Sequence, residues 1–542
     1  MTGYEAALKG LNAAQRTAVE TIDGPVLVIA GPGTGKTQLL GVRVAHILQQ
    51  TDTLPQNILC LTFTENGAEN MRERLTRFIG QAAYDVTIST YHAYGGDLIR
   101  RYPELFAETR LESPADELTR RQILRAIVDG LSYKNPLKQL RHHLGDLVST
   151  VSEVKRALLT SEELRALASE NSSFLLAANA VVREAFGGLT SLTGGSKKVL
   201  PPFAALLEGL APLVPTSPAH PDLGPLASLA LQQLATAVEQ AQASGKTTPL
   251  TKWKNDWLAK DEANQFIFDG ELVNRRIEAL ADVFDAYQAQ LAERGLYDFD
   301  DMILRAIEAL ETHPELRYSL QEQYLYILLD EFQDTNAAQL RLVQLLTDNP
   351  VHEGRPNVLA VGDDDQAIYA FQGAHYSNML DFYRMYRDVK VVHLTENYRS
   401  HADIITTAEQ VSEQIGSRLK TQFTQGKVRL QAANAQLPQR ATLERREFLS
   451  DVAQYDWISH EIKKLVDAGV PKQDIAVLAP KHKQLEPLVP YLAELGVPVR
   501  YEKRENILEA PVVRELLTMS KLVLALASGD EGTANALWPQ VL

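Results

Sequence analysis

The stretch VLVIAGPGTGKTQLL at 26–40 constrains this chain more than any other: an apolar run, a glycine-rich turn, then the start of a helix. It fits the phosphate-binding loop pattern, with Ala30 at the first position, where the pattern usually has glycine. Gly31, Gly33 and Gly35, with Pro32 and Thr34 between them, let backbone N–H groups turn inward on phosphate oxygens, and the following helix adds its positive end. Lys36 then reaches the outer phosphates, and Thr37 offers its hydroxyl to magnesium. A glycine-rich surface turn before Lys-Thr is the bland alternative, and the strand before and helix after argue against it. A second feature supplies the complement. LLDEFQDTN at 328–336 sets Asp330, Glu331 and Asp334 directly behind the apolar run YLYILL. Adjacent acids at a strand end are usually solvated; beside a phosphate loop they acquire jobs. Asp330 holds magnesium, and Glu331 orients and deprotonates the attacking water.

The 542 residues suggest roughly three or four domains. No apolar run approaches a membrane span and MTGYEAALKG lacks a signal-peptide pattern, so a cytoplasmic location is the default expectation. Cys60 is the only cysteine and lies in ILCLTF, which excludes intrachain disulfides and cysteine metal clusters and suggests a buried thiol. The net charge of −15 weighs mildly against nucleic acid, although a groove can be locally basic.

Strand–helix alternation over 22–100 (VLVIA, ILCLT, VTIST) argues for an α/β fold with a parallel sheet covered by helices. The pattern turns helical from 101, with a Pro-rich break at 200–227, and resumes alternation at YILLD and NVLAVGD. The expected organisation is a first α/β domain from 1–100 plus 270–375, with a helical domain inserted at 101–269. A second α/β unit follows at 376–505, from KVVHLT through DIAVLA and VPVRY, and a further helical segment begins at 506–542. In KWKNDWLAK, Trp253 and Trp257 stand one helical turn apart. Such a pair suits a core-facing stripe better than a DNA contact.

Other patches are individually weak. Gln15, in LNAAQRTAV, carries an amide able to read both a donor and an acceptor on an adenine edge, although a helix-surface glutamine is the commoner case. VGDDDQAIYAFQGA at 361–374 places Gln366 where it can sense a terminal phosphate, and Tyr369 and Phe371, two apart, point to one side of an extended chain. LTENYRS puts Tyr398 and Arg399 at a strand tip.

Their order is specific. Gln15, the phosphate loop, LTFTENGAENMRERL, TISTYHAYGGDLIR, YDFDDMI, LLDEFQDTN, VGDDDQAIYAFQGA and LTENYRS together resemble the UvrD/Rep/PcrA group of superfamily 1 DNA helicases. The resemblance covers roughly 1–100 and 290–505. It implies a RecA-like phosphate-loop domain with a helical insertion, ATP and magnesium as cofactors, and movement 3′ to 5′ on single-stranded DNA in repair or replication restart. It also implies action at single-strand/duplex junctions, and names no protein partner. Gln15 is then the adenine reader, Lys36, Thr37, Asp330 and Glu331 the phosphate, metal and water residues, and Gln366 the phosphate sensor. Tyr398 stacks on adenine, and Arg399 neutralises charge on the transferred group. Phe63, His92, Tyr369 and Phe371 fall where the family stacks bases, which gives grip without sequence preference.

Three departures matter. Gln38 stands where the family commonly has arginine, and Phe371-Gln372 where it commonly has Trp-Arg. The family's last two motifs are not found, and the Arg pair of LERREFLSD lies too far upstream to be one of them. The resulting expectation is an N-terminal portion with an incomplete second RecA-like domain, hydrolysing ATP slowly and failing to unwind duplex. The rival readings are an ATP-responsive single-strand-binding protein without unwinding activity and an unrelated phosphate-loop kinase. DEFQDTN and NYRS together speak against the kinase.

Overall fold

The computed structural model describes residues 3–106, 113–139, 144–187, 196–215, 225–367, 378–415, 429–437, 442–500 and 510–541. It divides into two units, Met1–Ala441 and Thr442–Leu542.

The first unit is built on six parallel strands: β1 (Val26–Ala30), β2 (Ile58–Thr62), β3 (Thr87–Thr90), β4 (Tyr326–Leu329), β5 (Val358–Gly362) and β6 (Lys390–Leu394). Their order across the sheet is β6-β1-β5-β4-β2-β3. β1, β2, β4 and β5 are buried along their whole length, so they read as continuous apolar runs without alternation. One face packs against Tyr91, Tyr94, Leu310 and Leu342, the other against Leu39, Leu40, Val44 and Met71. Cys60 lies buried in β2, as its apolar setting suggested. The fully buried Arg43, on the helix Lys36–Gln50, donates to the carbonyls of Ala18 (2.5 Å) and Thr21 (2.6 Å) and so ties the helix Ala13–Glu20 to the phosphate-loop helix. Burial lowers its pKa to about 10.

Three expectations about organisation are corrected. KVVHLT does not open a second sheet: β6 pairs with β1 from Val26↔Lys390 to Ala30↔Leu394, because a buried phosphate-loop strand needs a ladder partner on each side. The helical insertion does not end at 269. Helix Glu271–Glu293 buries Ala279, Val283, Phe284, Tyr287 and Leu291 against Ile123, Leu124 and Val151 of the insertion. The chain returns to the sheet only after Leu296–Tyr297, which pairs with Ser113–Pro114 where the insertion begins. Finally, DIAVLA (474–479) and VPVRY (497–501), expected as strands, form no ladder among their described residues; Val497, Ile475 and Val477 pack instead on Ile462, Leu488 and Leu492. Among its described residues the second unit has helices and no strand; its last helices are Pro511–Ser528 and Glu531–Val541.

The insertion has its own core, and it includes a short antiparallel hairpin, Leu258–Lys260 with Phe266–Phe268. Trp253 and Trp257 are 3% and 8% exposed inside that core, with indole N–H groups donating to the Ala230 carbonyl and to Gln233 Oε1. The core-facing reading of that pair holds.

A buried ionic cluster fixes the neck of the insertion. Lys155 Nζ donates to Asp298 Oδ2 and Asp301 Oδ1, each at 2.7 Å, and Tyr287 and Arg120 complete the shell around Asp298. Lys155→Met leaves Asp301 buried without its cation and Asp298 with Arg120 alone. The expected loss is about 3–5 kcal/mol of stability in urea unfolding; a loss below about 1 kcal/mol contradicts this role for the cluster.

Candidate active site

All six strands of the sheet run the same way, so their carboxyl ends share one edge. The phosphate loop, LTFTENGAENMRERL, LLDEFQDTN, VGDDDQAIYAFQGA and LTENYRS each begin at the end of one of these strands, and TISTYHAYGGDLIR runs through β3 into the helix behind it. In open parallel sheets that edge is where ligands bind.

β1 ends at the buried Ala30 and the chain turns through 31–35 into the helix from Lys36. Gly33 (φ +70°) and Gly35 (φ +84°) lie in the left-handed region, so side chains at either position would be strained. Lys36 Nζ lies 3.1 Å from Glu331 Oε2, across the sheet edge. Thr37, Asp330, Glu331, Gln366 and Phe63 line one cavity of about 370 Å³. The phosphate-loop hydroxyl, both acids, the sensor and one base-stacking aromatic expected from the sequence are thus brought together.

The acidic side of this cavity is electrostatically tense. Burial, and then the charge of Glu331, raise the Asp330 carboxyl to about 6, and the same two causes raise Asp334 to about 6. Glu331 is left-handed (φ 47°, ψ 46°), a conformation that costs a non-glycine residue about 1–3 kcal/mol. Its N–H donates to Asp330 Oδ1 at 3.0 Å, which closes the turn at the strand end. This sharp turn puts the Glu331 carboxylate beside Lys36 while Asp330 stays buried at the end of β4.

Gln333 went unnoticed in the sequence. Its Nε2 donates to Glu331 Oε2 (2.9 Å) and its Oε1 accepts from the Asp363 N–H (3.0 Å), joining the acids to the loop after β5. Gln366 Nε2 donates to Asp363 Oδ2 in turn (2.5 Å). A Cβ on Gly362 would lie 2.7 Å from Gln333 Oε1, so this link depends on glycine at the end of β5. The signal lay in the sequence as a glutamine inside DEFQD and a glycine before DDDQ, each with an unassigned purpose.

The other side of the phosphate loop is covered by Gln15, Tyr398 and Arg399. Gln15 is buried: its Nε2 donates to the Thr34 carbonyl at 2.9 Å and its Oε1 accepts from the Asn12 N–H at 3.1 Å. The Tyr398 hydroxyl accepts from Asn12 Nδ2 (3.0 Å) and donates to Glu396 Oε2 (2.7 Å). Arg399 is exposed beside Gly33, and Gln38 is exposed on the helix that follows the loop.

His92 lies elsewhere, stacked on Phe299 at 3.9 Å between ring centroids and 19° between planes. Burial lowers its pKa to about 4, so the imidazole is neutral near pH 7. Phe299, which the sequence reading passed over inside YDFDDMI, is 52% exposed and extends this aromatic surface outward. Tyr369, Phe371 and Gln372 lie outside the described residues.

Comparison with known proteins agrees with this layout. The model of the UvrD/REP helicase N-terminal domain matches residues 11–192 and 210–387, and the model of the UvrD-like helicase C-terminal domain matches 392–527. The second match corrects the expectation of an N-terminal portion with an incomplete second domain, since a C-terminal helicase domain is matched as well. The chain is 23% identical over 518 residues to the ATP-dependent DNA helicase PcrA of Staphylococcus epidermidis, covering 96% of this chain and 54% of that protein. It is 26% identical over 427 residues to the PcrA of Leuconostoc citreum, covering 78% of this chain and 42% of that one. The chain therefore spans about half the length of the curated relatives it matches. No helix among the described residues is long and apolar enough to cross a membrane. With the N-terminal model alone matching well over half of its residues, the chain belongs to the UvrD/REP helicase family.

Proposed function

We propose that the chain is an ATP-driven motor that moves 3′ to 5′ on single-stranded DNA and opens duplex at single-strand/duplex junctions, in repair or replication restart. The observation that carries the reading is the Lys36–Glu331 pair at 3.1 Å, in a cavity also lined by Thr37 and Asp330. A cation and two acids held this close suit a ligand that is itself anionic and arrives with a cation of its own. The polarity and the pathway rest on the resemblance of the motifs, and similarity to the PcrA proteins, which are ATP-dependent DNA helicases, supports the DNA helicase activity.

In this reading Lys36 leaves Glu331 for the outer phosphates when ATP binds. That frees the Glu331 carboxylate to take a proton from the attacking water. Gln366, tied to Asp363, sits where it can report the terminal phosphate. Arg399 approaches from the loop after β6 to neutralise charge on the transferred group, while Tyr398 and Gln15 face the adenine. Thr37 and Asp330 are hard oxygen donors, and the orphaned Asp334 Oδ1 nearby adds unbalanced negative charge. That donor set fits magnesium, which takes few protein ligands and leans on substrate phosphates. Thr37 and Asp330 would hold magnesium there, and it would supply charge neutralisation to the phosphate oxygens. Bases of the single strand stack on Phe63, His92, Tyr369 and Phe371.

Lys36→Ala is expected to abolish ATP turnover with the melting temperature unchanged, because the ammonium supplies charge and not packing. Glu331→Gln keeps ATP affinity and stops hydrolysis, since the amide preserves shape and loses the basic oxygen. A single-strand-stimulated ATPase assay beside nucleotide titration checks both; full turnover in either variant contradicts the assigned roles.

Phe371→Ala is expected to weaken single-strand binding by about 1–3 kcal/mol, with little dependence on base sequence. Fluorescence anisotropy with several homopolymeric oligonucleotides reads this directly, and unchanged affinity returns the ring to a packing role. Strand displacement on 3′-tailed and 5′-tailed duplexes tests polarity. ATP-dependent binding with no turnover and no displacement favours an ATP-responsive DNA-binding protein instead.

A further inference from the structure

The phosphate loop does not hold its shape unaided. Four consecutive carbonyls, those of residues 31–34, each accept a hydrogen bond, and three of the four donors come from outside the loop. Thr34 Oγ1 donates to the Gly31 carbonyl at 2.8 Å, inside the loop. Asn397 Nδ2 donates to the Pro32 carbonyl at 2.7 Å, the Tyr398 N–H to the Gly33 carbonyl at 2.9 Å, and Gln15 Nε2 to the Thr34 carbonyl at 2.9 Å.

In a trans peptide unit the C=O and the following N–H point in opposite directions. Donors that hold the carbonyls of 32, 33 and 34 on the outer side therefore hold the N–H groups of 33, 34 and 35 on the inner side. The helix from Lys36 contributes its own first N–H groups, which have no partner within the helix. The result is a row of amides facing one way, the arrangement a polyphosphate needs.

The segment supplying two of these donors is itself braced. Asn397 Oδ1 accepts from the N–H groups of Arg399 and Ser400, each at 2.8 Å, so one side chain folds its own turn and grips the loop with its other end. Glu396–Asn397 pairs with Gln431–Ala432, and a Cβ on Gly31 would lie 2.7 Å from the Leu430 side chain. A Cβ on Gly33 would lie 2.8 Å from both the Asn397 amide and the Arg399 Cβ. The loop and the strap are packed with no room for a methyl group.

We propose that Asn397 is a positioning residue for polyphosphate: through the Pro32 carbonyl it orients the loop amides that receive ATP, with Gln15 doing the same at Thr34. This rests on the ATP-binding reading above. It gives Gln15 a task on the loop besides facing adenine, and gives the Asn397 side chain a task beside that of the Tyr398 backbone N–H on Gly33.

The test is Asn397→Ser in the full chain. The serine hydroxyl still accepts from the turn amides but is too short to reach Pro32. Calorimetric titrations use ATP, inorganic pyrophosphate and adenosine, with Lys36→Ala alongside. The expected result is affinity for ATP and pyrophosphate lowered about five- to tenfold, the size of one hydrogen bond, with adenosine affinity and melting temperature unchanged. If serine lowers the melting temperature, Asn397→Thr repeats the comparison with a stiffer side chain. Wild-type affinity for pyrophosphate in a folded Asn397 variant overturns the proposal while the ATP site stands. Equal losses for adenosine and pyrophosphate also overturn it, since they mark a merely structural contact. Absence of ATP binding in the wild-type chain overturns the site and the proposal together.

Discussion

The parallel direction of six strands is the constraint on which the rest of this structure depends. Residues far apart in sequence meet because each follows a strand that stops at the same edge: the phosphate loop after β1, Phe63 after β2, Asp330 after β4, Gln366 after β5 and Arg399 after β6. An antiparallel neighbour in the middle of the sheet would send its motif to the opposite edge, about the length of a strand away. The helical insertion leaves this frame intact because it departs and returns beside the same short pairing, Ser113–Pro114 with Leu296–Tyr297. The Lys155 cluster locks that neck and fixes the start of the helix Asp301–Thr312, next to Phe299 and His92.

Within that frame the site is held under strain that a ligand can relieve. Asp330 is raised to about 6 by burial and by Glu331, Glu331 occupies a left-handed conformation, and Lys36 stands against Glu331 as an internal counter-ion. In the proposed reading a polyphosphate would take over Lys36 and free Glu331 in the same event. Gln333 links these acids to the loop after β5. It touches Glu331 on one side and the Asp363 backbone on the other, and Asp363 holds Gln366.

Much of this was legible before any coordinates, and the misses have physical causes. The loop, the acids and β1 to β5 were readable because each combines an apolar run with residues of narrow conformational or chemical use. β6 was misassigned because an apolar strand carries no mark of which sheet it joins; the ladder to β1 is a tertiary fact. The end of the insertion was missed because helix Glu271–Glu293 has the same amphipathic pattern whichever core it faces. Trp253 and Trp257 were read correctly because two tryptophans one turn apart are expensive to leave in water. Gln333 and Asn397 lie inside motifs that give them no evident task, because an amide side chain shows its partners only in three dimensions.

The central claim is that Lys36 and Glu331, 3.1 Å apart here, separate around a nucleotide. A crystal structure of the chain with magnesium and a non-hydrolysable ATP analogue tests this most directly. The account predicts phosphates seated on the amides of residues 33–37, with Lys36 Nζ moved from Glu331 to an outer phosphate oxygen and the Glu331 carboxylate facing a water in line with the terminal phosphate. A nucleotide bound elsewhere, with the Lys36–Glu331 pair intact, would contradict it.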